Sequence, residues 1–407
     1  MTAGTTDARA GGALGQTAVA PEVARRALLV LLVSVTVNLI GTTAYSPMLS
    51  IYARDLGATG LWIGLLYGGF YGVRLVLGRP IGVFSDRVGQ RRVLLISTAI
   101  YPLLAILYAI SPNIQALVGT RLLHGVASAM MLPMAMAYVG LLAKEGSAGR
   151  YASYFNFANF LGMAIGPLVG GLIVAYVAFK GPFYLLFLLT VLNLPLIFWL
   201  LPDLGHSEAA APRPAGGRRI QLDRVTAGLL AYNAVVNANT ILFVSFLPLL
   251  ARAIGLSILQ GGLLISAIYL ITSASQIPFG RLSDAVSPLL LVVAGGAVAG
   301  ACLLALAQLD AFAPSMTVVC ILALGGSAAT AGLSAIAVEA GRRRSMGRFM
   351  GGFHSAASFG MIAISLGAGL IFDSIGIKAV FVAAGLVTLA LLAPVTLLLR
   401  GTPEVAR

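Results

Sequence analysis

Twelve apolar stretches, each long enough to cross a bilayer, leave this chain little choice of fold. A spanning helix needs about 20 predominantly apolar residues. Such stretches run at 27–48, 60–83, 93–111, 115–142, 151–177, 182–201, 225–250, 259–282, 288–308, 315–339, 349–372 and 379–399. None alternates with period two, so they read as helices rather than barrel strands. Most contain Gly or Pro, which membrane helices tolerate because neighbouring helices satisfy the freed backbone groups. Charged residues make up 10% of the 407 positions, against about 25% in a soluble domain. The predicted class is an all-α membrane protein.

The position of the charges predicts the topology. With the N-terminus inside, all but six of the 26 lysines and arginines fall in cytoplasmic segments. Arg54, Lys180, Arg252 and Lys378 fall on the opposite face, and Arg74 and Arg121 lie inside spans. This positive-inside bias predicts a multi-pass protein of the cytoplasmic membrane with both termini in the cytoplasm. It also accounts for the net charge of +13 without a nucleic-acid partner. Residues 1–26 are polar, lack the apolar core of a signal peptide, and are expected to form a cytoplasmic tail. Cys302 and Cys320 fall within spans and make no disulfide framework.

The chain repeats itself at an offset of 198 residues. Pro80-Ile-Gly82-Val-Phe-Ser85-Asp86 answers Pro278-Phe-Gly280-Arg-Leu-Ser283-Asp284, and Ser147-Ala-Gly149-Arg150-Tyr151 answers Ser345-Met-Gly347-Arg348-Phe349. Shared Gly and Leu bias explains single matches, not Ser-Asp and Gly-Arg pairs in one register. Two six-helix pseudo-repeats follow, 27–201 and 225–399. A Pro/Gly-rich cytoplasmic linker at 202–224 joins them, and a short tail at 400–407 ends the chain. Parallel halves with a midplane site between them suit transport by rocking of one half on the other.

Three motifs sharpen this reading. Gly82-Val-Phe-Ser-Asp86-Arg87-Val-Gly89-Gln90-Arg91-Arg92 resembles the loop G-x-L-x-D-R-x-G-R-R of the major facilitator superfamily, whose twelve-helix fold is then expected here. The resemblance makes Asp86 a latch that docks on helix eleven, near Arg342-Arg343-Arg344, while the outer side is open. A carboxylate at a helix N-terminus is favourable. Gly82, Arg87, Gly89, Arg91, Arg92 and the repeat's Asp284 would complete the gate, although Gln90 replaces a basic residue and Ala285 stands where Arg87 has its counterpart. Leu117-Val-Gly-Thr-Arg121-Leu-Leu-His124-Gly125 is similar to L-x-x-x-R-x-x-Q-G of the drug:proton antiporters. There His124 is either a titrating proton carrier or a hydrogen-bonding stand-in for Gln. Gly162-Met-Ala-Ile-Gly166-Pro167-Leu-Val-Gly170-Gly171 is similar to the exporters' G-x-x-x-G-P-x-x-G-G, which implies gating by close helix approach and export rather than uptake.

Polar residues recur at helical spacing inside the spans. Asn38 and Tyr45, Tyr71 and Arg74, and Asn233 and Asn237 form stripes. With Arg121, His124, Tyr138, Asn156, Asn159, Tyr269, Gln276 and His354 they are the candidate substrate and proton site. No Asp or Glu lies in the middle third of any span, so Arg74 and Arg121 make the interior positive. No P-loop, Ser/His/Asp set or metal-ligand cluster points to an enzyme or a cofactor. The expected protein is a monomeric secondary transporter that exports small amphiphilic molecules by alternating access with proton antiport. Its rivals are an organic-anion transporter drawn to Arg74 and Arg121, an uncoupled facilitator, and a non-transporting sensor.

Overall fold

The computed structural model describes residues 21–143, 148–203, 223–343 and 346–400. Residues 1–20 of the predicted tail at 1–26, residues 401–407 of that at 400–407, most of the linker, Arg344, and the side chains of Asp284, Arg342, Arg343 and Arg348 lie outside that description.

Fourteen helices build the described residues. They are α1 Pro21–Ala44, α2 Ser46–Asp55, α3 Gly60–Val88, α4 Gln90–Ile110, α5 Ile114–Leu142, α6 Ala148–Tyr176 and α7 Gly181–Leu200 in the first half. The second half holds α8 Arg224–Ser245, α9 Leu247–Ala253, α10 Ile258–Ala285, α11 Pro288–Leu306, α12 Phe312–Arg343, α13 Met346–Ser374 and α14 Ile377–Leu399. Twelve spans result, because α1 and α2 are one broken span and α9 continues α8. The first span is longer than expected: it runs on past Tyr45 to Asp55. Pro47 and Pro248 explain both breaks. Each starts a new helix within its first two positions, where a missing N–H costs nothing. The short α2 and α9 are almost wholly buried and plug one end of the bundle.

The loops carry the repeat as well. Gly57 and Gly255, at the 198-residue offset, take φ of 84° and 79°, a left-handed conformation open to glycine. Gly89, in the signature loop, takes φ 90° and turns the chain from α3 into α4.

The halves meet through α3 with α13 and α6 with α10. Both contacts concentrate at the end plugged by α2 and α9. Gly60 and Gly64 of α3 lie against the backbone of Gly369 and Ser365, so a side chain at either would collide. Gly262 sits on Pro167, and Gly171 on Leu259, where α10 crosses α6. Toward the other end, Gly78, Gly82, Gly280 and Gly351 have nothing within 4 Å of where a side chain would start. Among the described residues the halves are in contact at the plugged end and apart at the other.

Candidate functional site

A cavity of about 350 Å³ opens within the second half. α8 contributes Tyr232, Asn233, Asn237, Asn239 and Thr240, α10 contributes Tyr269, Thr272 and Gln276, and α13 contributes Phe353 and His354. Phe160 of α6 reaches it from the first half. Five of the sequence-predicted residues therefore line one cavity: Asn233, Asn237, Tyr269, Gln276 and His354. They are not equally free to bind. Asn233 is buried and donates from Nδ2 to the Phe353 carbonyl at 2.6 Å. Asn237 donates back to the Asn233 carbonyl at 2.9 Å and to its side-chain oxygen at 3.0 Å. Asn239, which the spacing of the stripe did not single out, donates to Thr388 Oγ1 at 3.0 Å. Gln276 and His354 are exposed. No lining residue carries an Asp, Glu, Lys or Arg side chain.

The first half has a filled interior instead. Arg121 is buried on α5, its guanidinium 4.7 Å from the Phe70 ring, 5.0 Å from Tyr67 and 5.7 Å from Tyr45. Among the described residues no carboxylate pairs with it, and its Nε has no hydrogen-bond partner. Three electron-rich ring faces take the counter-ion's place. Arg121 Nη1 donates to Tyr45 Oη at 2.8 Å. Because Arg can only donate, the Tyr45 proton is left for His124 Nδ1, 3.0 Å away, and the imidazole proton belongs on Nε2. Tyr108 Oη lies 3.1 Å from the same Nδ1. Tyr101 and Tyr108, a helical-spaced pair on α4, complete this cage. Their spacing was visible in the sequence, but tyrosine in an apolar span does not announce which neighbour it serves.

Arg74 sits between these two regions. It is half-buried, stacked on Phe70 and Tyr71 at 5.7 and 5.6 Å, and has no hydrogen bond or ion pair among the described residues.

Other candidates stand apart from the cavity. Tyr138 Oη donates to the Pro202 carbonyl at 2.6 Å, beside Arg91, whose Nε and Nη2 donate to Leu201 and Phe198 carbonyls at 2.6 and 2.5 Å. Both side chains tie down the end of α7, as cations and donors do at a helix C-terminus. Asn38 is buried in the first half with its Nδ2 unpartnered, and Asn159 leaves its Oδ1 unpartnered. Asn156 is exposed on α6. Gly162, Gly166 and Gly170 pack against α1 within their own half, while Pro167 and Gly171 meet α10 of the other. Asp86, Arg87 and Arg92 are exposed at the parted end.

At the plugged end the halves are also joined by polar contacts. Ser50 Oγ donates to the Ser245 carbonyl at 2.5 Å, and Tyr67 Oη lies 3.1 Å from Ser50 Oγ. Arg252 and Asp55 pair at 3.0 Å. Asp373, which the sequence did not mark, accepts from the Gly60 and Leu61 backbone N–H groups at 2.6 and 2.9 Å.

The sequence model of the Major Facilitator Superfamily matches residues 31–231 and 228–407, nearly the whole chain. The chain belongs to this superfamily. It is 26% identical over 354 residues to an uncharacterized MFS-type transporter of Methanocaldococcus jannaschii, covering 84% of this chain and 89% of that one. It is also 26% identical over 160 residues to the quinolone resistance protein NorA of Staphylococcus aureus, a match covering 39% of this chain and 40% of NorA. The solved structure of a bacterial homologue of the human lysosomal transporter Spinster, inward-facing and occupied, superposes with a TM-score of 0.75 at 13% identity, covering 92% and 96% of the two chains. The human organic anion transporter MFSD10 superposes with a TM-score of 0.63 at 17% identity, covering 91% and 99%. The transporter therefore has the two-repeat facilitator fold that the sequence predicts, with twelve candidate spans.

Proposed function

We propose that the transporter exports small amphiphilic molecules from the cytoplasm by alternating access, in exchange for protons. The observation that carries the reading is a neutral, aromatic- and amide-lined cavity in a bundle closed at one end and parted at the other. Its volume falls within the usual range for small-molecule sites, about 300–1,000 Å³. The positive-inside bias makes the parted end cytoplasmic, so this conformation loads from inside. Release outside requires the contacts of Ser50 with Ser245, Asp55 with Arg252 and Asp373 with α3 to break while the parted end closes. The Gly-Pro motif on α6 and the partial likeness to NorA support export. In this reading His124 carries the exchanged proton: its Nδ1, which accepts from Tyr45 beside Arg121, takes the proton up once the contact with Arg121 is broken.

The test is flux in liposomes. Purified protein should move fluorescent amphiphiles faster when a pH gradient is imposed, and Gly64→Val should abolish movement by preventing closure of the plugged end. Flux indifferent to the gradient breaks the antiport reading and leaves facilitated transport. A Gly64→Val protein that transports normally breaks the alternating-access assignment.

A further inference from the structure

An unpaired guanidinium halfway along a membrane helix is costly unless it is wet or faces an anion. Insertion scales put an arginine at the centre of a span at about 2.5–3.5 kcal/mol. The transporter has two arginines inside its spans without a carboxylate partner among the described residues, Arg74 halfway along α3 and Arg121 two turns into α5, and treats them differently. Arg121 is sealed, 7% exposed, and compensated by the three ring faces around it. Arg74 is half-buried, backed by two rings of its own helix, and has no acceptor among the described residues.

Its position explains what it faces. Tyr67, Tyr71 and Arg74 follow one face of α3. Tyr67 points between the halves, where its hydroxyl reaches Ser50 and the Val244 carbonyl at 3.4 Å. α3 and α13 run antiparallel here, with Gly60 against Gly369, Gly64 against Ser365 and Gly68 against Ile362, so the next turns of α3 lie at the level of Ala357 on the cavity wall. Arg74 comes next, just past the level of Gly68, the last glycine of α3 in contact with α13. It thus stands at the throat, where the halves part beside the neutral cavity. The acidic residues of the spans lie near helix ends, so nothing in the middle of the membrane offers a counter-charge to a cationic guest.

We propose that Arg74 is a specificity-determining residue that receives the acidic group of an amphiphilic substrate, while the apolar body of that substrate occupies the cavity of the second half. This deepens the transport reading and rests on it. The preferred substrates are organic carboxylates or sulfonates with an aromatic or alkyl body, not lipophilic cations. A guanidinium offers such a group two parallel donors. Stacking on Phe70 and Tyr71 holds that fork in place before the substrate arrives. The same chemistry would accept an anionic lipid headgroup from the bilayer, so the source of the anion is part of the test.

The experiment uses purified full-length protein in neutral-lipid nanodiscs. Binding of a series of aryl-alkyl carboxylates is compared, pair by pair, with that of their primary amides. The acid is expected to bind about ten- to a hundredfold more tightly, the range of a charge-assisted hydrogen bond. Arg74→Gln should remove that margin and leave amide affinity unchanged, while Arg74→Lys keeps part of it. Acid and amide binding alike, no acid binding at all, or a margin that survives in Arg74→Gln overturns the inference. The wild-type pairs decide the matter even if Arg74→Gln fails to fold. Anionic phospholipid added to the nanodiscs distinguishes the sources. Competition lost in Arg74→Gln marks a lipid substrate held by the same residue, and absence of competition marks a soluble one. Liposome flux separates this inference from the transport reading: preferential acid binding without flux sinks transport alone, and equal flux of acid and amide sinks the role of Arg74 alone.

Discussion

Tyr45, Phe70, Tyr101 and His124 crowd around Arg121 in the first half. At the 198-residue offset the second half has Phe243, Ile268, Ala299 and Leu322, and these four line the cavity. Val319 stands where Arg121 does. One backbone plan thus carries two interiors. Polar rings and a guanidinium fill the first, whereas Ala299 in place of a tyrosine and Leu322 in place of a histidine line the hollow of the second. A duplicated scaffold thus pairs a packed, charged interior with a neutral, hollow one.

The most damaging change to that division is Arg121→Ala. It removes the cation that three rings surround and leaves Tyr45 without its donor. Transport should be lost, and unfolding in detergent should become easier by about 2–5 kcal/mol, the range for deleting a large buried side chain. Normal transport by this variant would mean that the filled half does not serve the cycle.

Filling the second half should separate function from stability. Ala299→Tyr places into the cavity the side chain that the first half already holds as Tyr101. Substrate binding and flux are expected to fall at least tenfold while the melting temperature changes by no more than a few degrees. Binding that survives the substitution would put the substrate elsewhere in the molecule.

This contrast was only half legible in the sequence. Twelve spans, the repeat and the signature loop were readable because hydropathy, register and glycine punctuation are local properties. Even there, apolar composition hid the breaks at Tyr45 and Phe246, although Pro47 and Pro248 mark them. The polar residues were visible as residues and not as partners. Asn237 lines the cavity, whereas Tyr138 is spent on the Pro202 carbonyl, and nothing in a single span distinguishes the two. Tyr101, Asn239 and Asp373 went unmarked because their meaning lies in which helix they meet.

Proton coupling is the next place to press. His124 occupies the filled half, and its counterpart Leu322 cannot titrate, so any proton bound in this region belongs to one half only. His124→Gln keeps an acceptor for Tyr45 and removes the titrating ring. Flux should continue, with its response to an imposed pH gradient reduced severalfold. A mutant that follows the gradient as the parent does would leave His124 the hydrogen-bonding role of a glutamine.

The smallest expected effect concerns two equivalent helix starts. Ser257 begins α10 with a reciprocal capping box, its side chain bonded to the Gln260 N–H at 3.2 Å and the Gln260 side chain bonded back at 2.9 Å. Thr59 is its counterpart at the start of α3, but Trp62 stands where Gln260 does, and the Thr59 bond to the Trp62 N–H is long at 3.4 Å. This start draws on the other half instead, where Asp373 accepts from the Gly60 and Leu61 N–H groups. One helix end is therefore satisfied locally, and the other only while the plugged end stays closed. A carboxylate at such a site contributes about 0.3–1 kcal/mol. Asp373→Asn should accordingly raise the fraction of molecules open at the plugged end by about two- to fivefold, read as inter-half distances between spin labels on the 57 and 376 loops. Ser257→Ala should lower stability by a comparable amount and leave those distances alone. If both variants open the gate equally, or neither does, the asymmetry between the two starts has no bearing on the cycle, and the closed end is held by the Gly60 and Gly64 packing instead.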